Sequence, residues 1–268
     1  IINGFNGVVD RQDQLVKPRG ALGRLEDIAC WFAARQERVV PLPLVPAITV
    51  FVADHGVARH GVSAFPQSVT VHMVRGLSEG FAAINVLARA IDARFAVVDL
   101  GVNQPSTFAN VRDERIGPGT ADLLTQSAMT EAQAFRALAI GAKYAREAIS
   151  AGSNLLIAGE IGIANTTSAA CLIASLLGTD PEYIVGRGSG IDEETHARKL
   201  DVVRRALVRG ATCSNAIDTL CEYGGFEIAA MAGFYLEAAR RRTPALLDGF
   251  ISAAAALVGC ALESGLQV

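Results

Sequence analysis

The chain has 268 residues, of which 51% are hydrophobic, a formal net charge of −3 and no block of five or more basic residues. This is enough apolar sequence to build a substantial core in one large domain, or in one domain with a small appendage. A nearly neutral chain without a basic cluster lacks the positive surface that binds nucleic acids, so we expect no nucleic-acid partner.

The sequence also argues against a membrane protein. Its longest nearly uncharged apolar stretch, residues 251–262, is shorter than the roughly 20 residues that span a bilayer, and it predicts a buried helix instead. The sequence shows no secretory signal pattern, and its five cysteines have no paired spacing. We therefore expect a cytoplasmic protein with reduced thiols and no membrane partner.

The first 45 residues differ from the rest of the chain. Residues 22–38 have a helical pattern, and Pro41, Pro43 and Pro46 then interrupt the chain before the first strand. The sequence therefore predicts a small helical appendage at residues 1–45, packed on an α/β domain at residues 46–268.

Strands and helices alternate through the remaining sequence. Aliphatic runs that are apolar at both odd and even positions predict buried strands at residues 47–53, 95–100 and 154–158, with shorter candidate strands at 183–185 and 244–248. Thr130 and Gln133 have capping-box spacing at the start of a helix that Gly152 ends. A second helix begins with the acids at 192–194 and ends before Gly210. This alternation predicts a three-layer α/β/α fold with a mostly parallel, Rossmann-like sheet.

Ligands of open α/β sheets bind beyond the carboxyl ends of the strands. The motif GEIGIANTT at residues 159–167 is typical of a strand end, a tight turn through Gly162 and a helix start. Because helix N-termini attract anions, Asn165, Thr166 and Thr167 are candidate phosphate ligands. Glu160 faces the same cleft and suggests proton transfer or stabilisation of a developing positive charge. The pattern predicts chemistry on a phosphorylated substrate.

A glycine-rich loop, GRGSG at residues 186–190, precedes the helix that carries Lys199. Such a loop beside a lysine can bind phosphate, although the Walker pattern is absent and three glycines more often form a plain turn. An isolated lysine is more often exposed to solvent. We keep Gly188 and Lys199 as candidate phosphate ligands because of the predicted turn at 165–167.

Other polar residues at the strand ends allow two interpretations each. Asp54 and His55 follow the first strand as a possible acid–base pair, but Asp54 could equally cap the next turn. The other histidines have no metal-ligand spacing, so no metal site is expected. The acids at 192–194 could bind magnesium, although helix-dipole complementarity explains them more simply. Glu227 could enter the cleft or stabilise the start of its helix.

The loop after the first strand offers a hydroxyl, an aromatic face and an amide within five residues, at Ser63, Phe65 and Gln67. That set would suit a flat heteroaromatic ligand, whereas an ordinary loop held by Pro66 is the simpler interpretation. Asp248 is the last residue of the final candidate strand and is expected at the same edge of the sheet.

Together these motifs resemble the nicotinate-nucleotide:dimethylbenzimidazole phosphoribosyltransferase family, which builds the lower ligand of cobalamin. The matching blocks lie in family order and cover nearly all of the chain. They are KPRGALGRLE at 17–26, ADHGV at 53–57, GVSAFPQ at 61–67, INVLA at 84–88, GEIGIANTT at 159–167, GRGSG at 186–190 with ARK at 197–199, GFEIAAM at 225–231 and LDGF at 247–250.

The resemblance implies a reaction in which nicotinate leaves the anomeric carbon of nicotinate mononucleotide. A benzimidazole nitrogen attacks from the opposite face, and the configuration inverts from β to α. It implies small-molecule substrates, no metal or organic cofactor, and a homodimer. It also implies that Glu160 faces the reacting centre, that Ser63 and Gln67 border the benzimidazole, and that Asn165, Thr166, Thr167, Gly188 and Lys199 hold the phosphate and ribose. From their positions at the strand ends we add as substrate-binding candidates Asp54, His55, Phe65, Gly162 and Asp248.

The family's general base is a glutamate in a Gly-Glu-Gly-Thr-Gly stretch beyond the LDGF block. This sequence contains no such stretch after Phe250, and Glu263 lacks its flanking pattern. We therefore expect this base to be missing or replaced, with Glu160 as the candidate replacement, or to lie in a part of a longer protein that this sequence does not include. Two alternatives stay open: a catalytically impaired relative that binds nucleotide or benzimidazole as a regulatory or scaffolding subunit, and a transferase with a purine or phenolic acceptor.

Overall fold

The computed structural model describes residues 6–104 and 107–263. The first five positions of the predicted appendage and the last five of the predicted α/β domain lie outside the described residues. Within the described residues, five strands form one parallel sheet in the order β3-β2-β1-β4-β5. The strands are β1 (Pro46–Ala53), β2 (Arg94–Gly101), β3 (Val111–Asp113), β4 (Leu155–Ile161) and β5 (Ala245–Leu246).

Ten α-helices lie in the described part of the chain. They are α1 (Asn6–Gln14), α2 (Arg24–Arg35), α3 (Val69–Glu79), α4 (Ala83–Ala90), α5 (Glu131–Ser150), α6 (Asn165–Leu177), α7 (Glu193–Arg209), α8 (Ala216–Tyr223), α9 (Phe226–Arg240) and α10 (Phe250–Leu262). Short 3-10 helices occupy Gly56–His60 and Pro181–Tyr183. Among the described helices, none is long and apolar enough to cross a membrane.

Strand β1 is buried along its whole length because both faces of the sheet are covered. Its even-numbered side chains, such as Val50, pack with α3 and α4 on one face. Its odd-numbered side chains, such as Phe51, pack into the larger core formed with α5, α6, α9 and α10. Since successive side chains of a strand point to opposite faces, one apolar run serves both layers. The predicted three-layer α/β/α fold with a parallel sheet is confirmed.

The order of the strands places a crevice at the centre of the sheet. The chain passes from β1 to β2 through α3 and α4 on one face, and it reaches β4 on the other side of β1 through α5 on the opposite face. Such a reversal of strand order leaves a crevice at the carboxyl ends of the two strands that flank it, here β1 and β4.

Most of the predicted elements are confirmed, with local corrections. The strand predicted at 183–185 is wrong: residues Pro181–Tyr183 form a 3-10 helix, because Pro181 sets the first turn and Asp180 caps it through the Glu182 amide. Strand β4 continues to Ile161, so Glu160 lies within the strand. Strand β3 was not predicted, since its three residues have no apolar pattern and pair only with β2.

Helices α1 and α2 have a small apolar cluster of their own, formed by Val8, Cys30 and Ala33. The segment that follows them is tied to the sheet by Asn154, which accepts a hydrogen bond from Val45 N at 2.7 Å and donates one to Pro43 O at 2.9 Å. This separate cluster supports the proposed boundary near residue 45.

Candidate active site

The carboxyl ends of β1 and β4 bring together polar residues that are far apart in the sequence. Glu160 lies in β4, partly buried, and its carboxylate accepts a hydrogen bond from the side-chain amide of Asn165 at the start of α6. Burial, the nearby charge of Glu227 and the charge of Asp248 together raise the pKa of Glu160 to about 7. Glu160 can therefore exchange a proton near neutral pH, as a general acid or base must.

A buried histidine–carboxylate pair lies beside Glu160. His55 follows β1, Glu227 lies in the first turn of α9, and His55 Nε2 is 2.6 Å from Glu227 Oε1. Neither side chain is exposed to solvent. Burial alone would lower the pKa of His55, but the charge and hydrogen bond of Glu227, together with the charges of Asp54 and Glu160, outweigh burial and raise it. This supports an imidazolium–carboxylate pair.

Two glycines let the backbone pack closely against this pair. A Cβ atom on Gly162 would lie 2.5 Å from the carbonyl oxygen of Ala53 and 3.2 Å from His55 Nε2. A Cβ atom on Gly225 would overlap the His55 imidazole and press on the Glu227 carboxylate. The GEIGIANTT and GFEIAAM motifs therefore need glycine at these positions to admit the imidazole.

Lys199 lies on the other side of the β4–α6 turn, in α7, and is only 1% exposed. Its ammonium group donates hydrogen bonds to Thr166 Oγ1 at 2.8 Å and to Gly186 O at 3.1 Å. Gly188 has a φ of +53°, and a Cβ there would lie 3.4 Å from Lys199 Nζ. Burial lowers the pKa of Lys199 to about 8. The arrangement holds a buried lysine ammonium group beside the start of α6.

The start of α6 differs in detail from the sequence prediction. The amides of Asn165 and Thr167 donate within the turn, to Gly162 O at 3.1 Å and Ala164 O at 2.9 Å, and Thr167 is completely buried. Ala164 adopts a left-handed φ of +75° to make this turn. An anion here would therefore depend on the Thr166 hydroxyl and Lys199 more than on a row of free amides.

The loop at residues 61–67 connects these two groups. The Gln67 side-chain amide donates to His55 O at 3.0 Å, and Ala64 N donates to Ser189 Oγ at 3.3 Å. Ser63 is partly buried and accepts from Phe65 N at 3.3 Å, while the Phe65 side chain is 51% exposed. The loop is thus bonded both to the residue after β1 and to the GRGSG loop, and it leaves the Phe65 ring half exposed.

The remaining candidates lie at the edge of the crevice. Asp54 is buried and accepts from Asn103 N at 2.8 Å, so it caps the turn after β2, and burial raises its pKa. Asp248 is exposed but close enough to act on Glu160. Asp192 caps α7 through Thr195 N at 2.8 Å, in agreement with the helix-dipole interpretation. Within residues 6–104 and 107–263, no cluster of His, Cys, Asp and Glu has the arrangement of a metal site.

Sequence reasoning missed the contact between His55 and Glu227. The two residues are 172 positions apart, and each has an ordinary local explanation. The glycine before the helix in GFEIAAM was the available signal, because a glycine at a helix start can mark the close approach of another group.

Comparisons with known proteins give the family. A sequence model described as a phosphoribosyltransferase matches residues 5–267. A protein of Chromobacterium violaceum named nicotinate-nucleotide–dimethylbenzimidazole phosphoribosyltransferase is 50% identical over 99% of this chain and 78% of its own length. A protein of the same name from Roseiflexus castenholzii is 47% identical over 96% of this chain and 73% of its own length.

Solved structures agree in fold and sequence. The crystal structure of CobT from Thermus thermophilus matches with a TM-score of 0.93 and 45% identity, over 98% of this chain and 79% of that one. A second structure from the same organism, described as a nicotinate-nucleotide-dimethylbenzimidazole phosphoribosyltransferase, matches with a TM-score of 0.90 and 44% identity, over 98% and 78% of the two chains. With this identity along nearly its whole length, the chain belongs to the phosphoribosyltransferase family of these relatives.

Proposed function

We propose that this chain transfers the phosphoribosyl group of nicotinate mononucleotide to 5,6-dimethylbenzimidazole, forming α-ribazole 5′-phosphate and nicotinate with inversion at the anomeric carbon. The observation that carries the proposal is the buried ammonium group of Lys199 beside Glu160, a carboxylate that exchanges its proton near pH 7. The chain is also 50% identical to a relative named for this reaction.

The phosphate of the nucleotide is assigned to Lys199 and Thr166. A charge-assisted hydrogen bond is roughly twice as strong as a neutral one, and the burial of Lys199 limits competition from water. Gly188 leaves the space beside the ammonium group free of a side chain, and Asn165 lies between this site and Glu160. The ribose would then extend from the phosphate at Lys199 towards Glu160.

The chemistry at the anomeric carbon requires charge to move from one ring to another. A ring nitrogen of the benzimidazole forms the new bond to C1′, and the electrons of the old C1′–N bond return to nicotinate, which loses its pyridinium charge. The product benzimidazolium then gives its N–H proton to a base. We assign that proton to Glu160, whose raised pKa lets it take a proton near pH 7. The surrounding carboxylates also favour the cationic character that develops at C1′.

The acceptor base is assigned to the loop at residues 61–67. Phe65 offers an exposed ring, Ser63 a hydroxyl and Gln67 an amide that is already bonded to His55 O. A cavity of about 900 Å³ shares Gln67 with this loop and adjoins it. A planar aromatic ligand would stack on Phe65 while polar groups fix its orientation.

The test is incubation of the purified chain with nicotinate mononucleotide and dimethylbenzimidazole, with nicotinate and α-ribazole phosphate separated by chromatography. Both products should form in equal amounts, and Glu160→Gln should reduce kcat by roughly a hundredfold or more. Binding of nicotinate mononucleotide without release of nicotinate would support the non-catalytic alternative instead. Turnover with a purine or a phenol but not with the benzimidazole would change the acceptor.

We further propose that the enzyme acts in the cytoplasm as a homodimer. The surface of α3, α4 and the residues that directly follow each helix supports association, because several of its large apolar side chains have about half or more of their area exposed: Met73, Phe81, Leu87 and Ile91. Sedimentation at several concentrations should give the mass of two chains, and a single-chain mass at all concentrations would contradict the proposal.

A further inference from the structure

The His55–Glu227 pair has no role in the proposed reaction, although it is the most deeply buried ionisable pair near Glu160 in the described part of the chain. A buried ion pair is weak evidence of stability, since desolvation offsets most of its attraction. This pair rests on one hydrogen bond: among the described residues, neither His55 Nδ1 nor Glu227 Oε2 has a partner. A pair with that arrangement calls for an explanation other than stability.

The position of the His55–Glu227 pair in the crevice supplies this explanation. His55 joins three parts of the crevice, because its side chain bonds to α9, its carbonyl accepts from Gln67, and the backbone of Gly162 packs against its ring. Gly162 is two residues from Glu160 and directly follows β4, the strand that contains Glu160. The pair therefore fixes the part of the crevice wall that surrounds the Glu160 carboxylate.

The pair also determines the charges that Glu160 faces. The neighbouring groups are Glu227 and Tyr235 on α9, His55 after β1, Asp248 after β5 and the Asn165 amide on α6. The negative charge of Glu227 acts on Glu160 more strongly than the positive charge of His55. His55 itself faces Glu227, Asp54 and Glu160. The pair is thus neutral as a whole but negative in its effect on Glu160.

We infer that His55 and Glu227 are positioning residues for Glu160: the buried pair, in contact with the backbone of Gly162, determines the packing and the charges that the Glu160 carboxyl faces. The inference deepens the proposed function and rests on it for the catalytic consequence. The electrostatic part can be measured without turnover.

The decisive variant is Glu227→Gln, which keeps a hydrogen-bonding oxygen for His55 and removes the charge. If His55 stays protonated, Glu160 loses only a negative neighbour; if His55 becomes neutral, it loses the stronger negative charge and the weaker positive one. In both cases the carboxyl of Glu160 should titrate at lower pH. Removal of a neighbouring negative charge of this kind lowers the titration midpoint of a carboxyl by about one pH unit. The rising limb of kcat/KM with pH should move down by the same amount.

The matched control is Glu237→Gln. Glu237 lies on the same helix, ten residues after Glu227, is also buried, and is paired with Arg241 at 3.0 Å. Carboxyl-labelled glutamate NMR would follow Glu160 directly, with its signal assigned by its loss in Glu160→Gln. Midpoints near pH 7 are expected in the parent chain and in Glu237→Gln, and a lower midpoint in Glu227→Gln.

Several results would overturn the inference. An unchanged Glu160 midpoint in folded Glu227→Gln would show that the pair is only structural. Should Glu227→Gln fail to fold, histidine NMR of the parent chain decides: a neutral His55 imidazole at pH 7 rejects the ion pair, and a charged one supports it. Absence of turnover in the parent chain, with the NMR midpoints as expected, would reject the proposed function and leave the electrostatic role intact.

Discussion

Glu160 occupies a place where its charge is unfavourable for folding. Its pKa is raised to about 7, above the ordinary 4.5, so the proton on Glu160 stabilises the fold fully below pH 4.5. That stabilisation is lost as pH rises through about 7. The carboxylate that the reaction needs is therefore the form that strains the protein, as is common at active sites.

This gives a first prediction for a neutral replacement. Glu160→Gln should be more stable than the parent chain at pH 8, by at most about 3 kcal/mol, and about equally stable at pH 4. Thermal unfolding at the two pH values measures the difference, while the turnover assay on the same samples should show the loss of activity. A variant that is less stable at pH 8 would show that Glu160 contributes hydrogen bonding to the fold.

The buried positive charge of Lys199 is also unfavourable for folding, although phosphate binding needs it. Its pKa is lowered to about 8, so the ammonium form that binds phosphate is lost as pH rises above that value. The KM for nicotinate mononucleotide should therefore increase above about pH 8, while the KM for the benzimidazole stays constant. Lys199→Met should raise the KM for the nucleotide by roughly ten- to a hundredfold at neutral pH, the equivalent of a charge-assisted hydrogen bond.

The control for Lys199 lies on the same helix. Arg205 is exposed and paired with Asp201, so Arg205→Met removes a positive charge from α7 outside the crevice. Its KM values should match those of the parent chain. Equal increases of both KM values in Lys199→Met would instead indicate a general disturbance of the crevice.

At the scale of elements, the contact between α5 and α9 determines how Glu227 reaches the crevice. The two helices pack backbone to backbone, because a Cβ on Gly141 would overlap the carbonyl of Ala230 and one on Gly233 would overlap the carbonyl of Leu138. Gly233→Ala should therefore destabilise the fold by several kcal/mol, although alanine normally stabilises a helix by about 1 kcal/mol relative to glycine.

A second helical glycine provides the comparison. A Cβ on Gly76 in α3 would meet only the Phe81 ring, at 3.1 Å, and that side chain is 67% exposed in the single chain, where it can shift. Gly76→Ala should be close to neutral in denaturant unfolding. Similar free energies of unfolding for the two variants would show that α5 and α9 can separate at little cost.

The elements that the sequence predicted correctly are those with local causes. The capping box of Thr130 and Gln133 is present as expected, since both partners lie within one turn of α5. The failures lie where local sequence is ambiguous. Residues 183–185 are apolar enough for a strand but too few to distinguish a strand from a turn. Strand β3 is defined only by its pairing with β2, and no local sequence pattern predicts that pairing.

At the scale of the whole molecule, the sequence located the crevice but not its internal contacts. The rule for strand ends brought Glu160 and His55 to one edge of the sheet, because parallel strands end together. It placed the GRGSG loop there only through a strand at 183–185 that the structure does not contain. It could not show that Lys199 is buried, since lysine is usually exposed, nor that His55 pairs with Glu227. Both contacts depend on helices that return to the crevice over long stretches of chain.

This assembly leads to a last prediction, about binding without catalysis. Nicotinate mononucleotide should connect segments that are separate in sequence, so hydrogen exchange should slow together at residues 159–167 and 186–190 and around His55. Exchange in α2 and β3, which lie away from the crevice, should not change. At about a hundredfold excess over Kd the ligand adds about 2.7 kcal/mol of stability, which should raise Tm by about 5–10 °C. Slower exchange confined to residues 186–190 would mean that the phosphate binds alone, and that the nucleotide does not reach the carboxylates between β1 and β4.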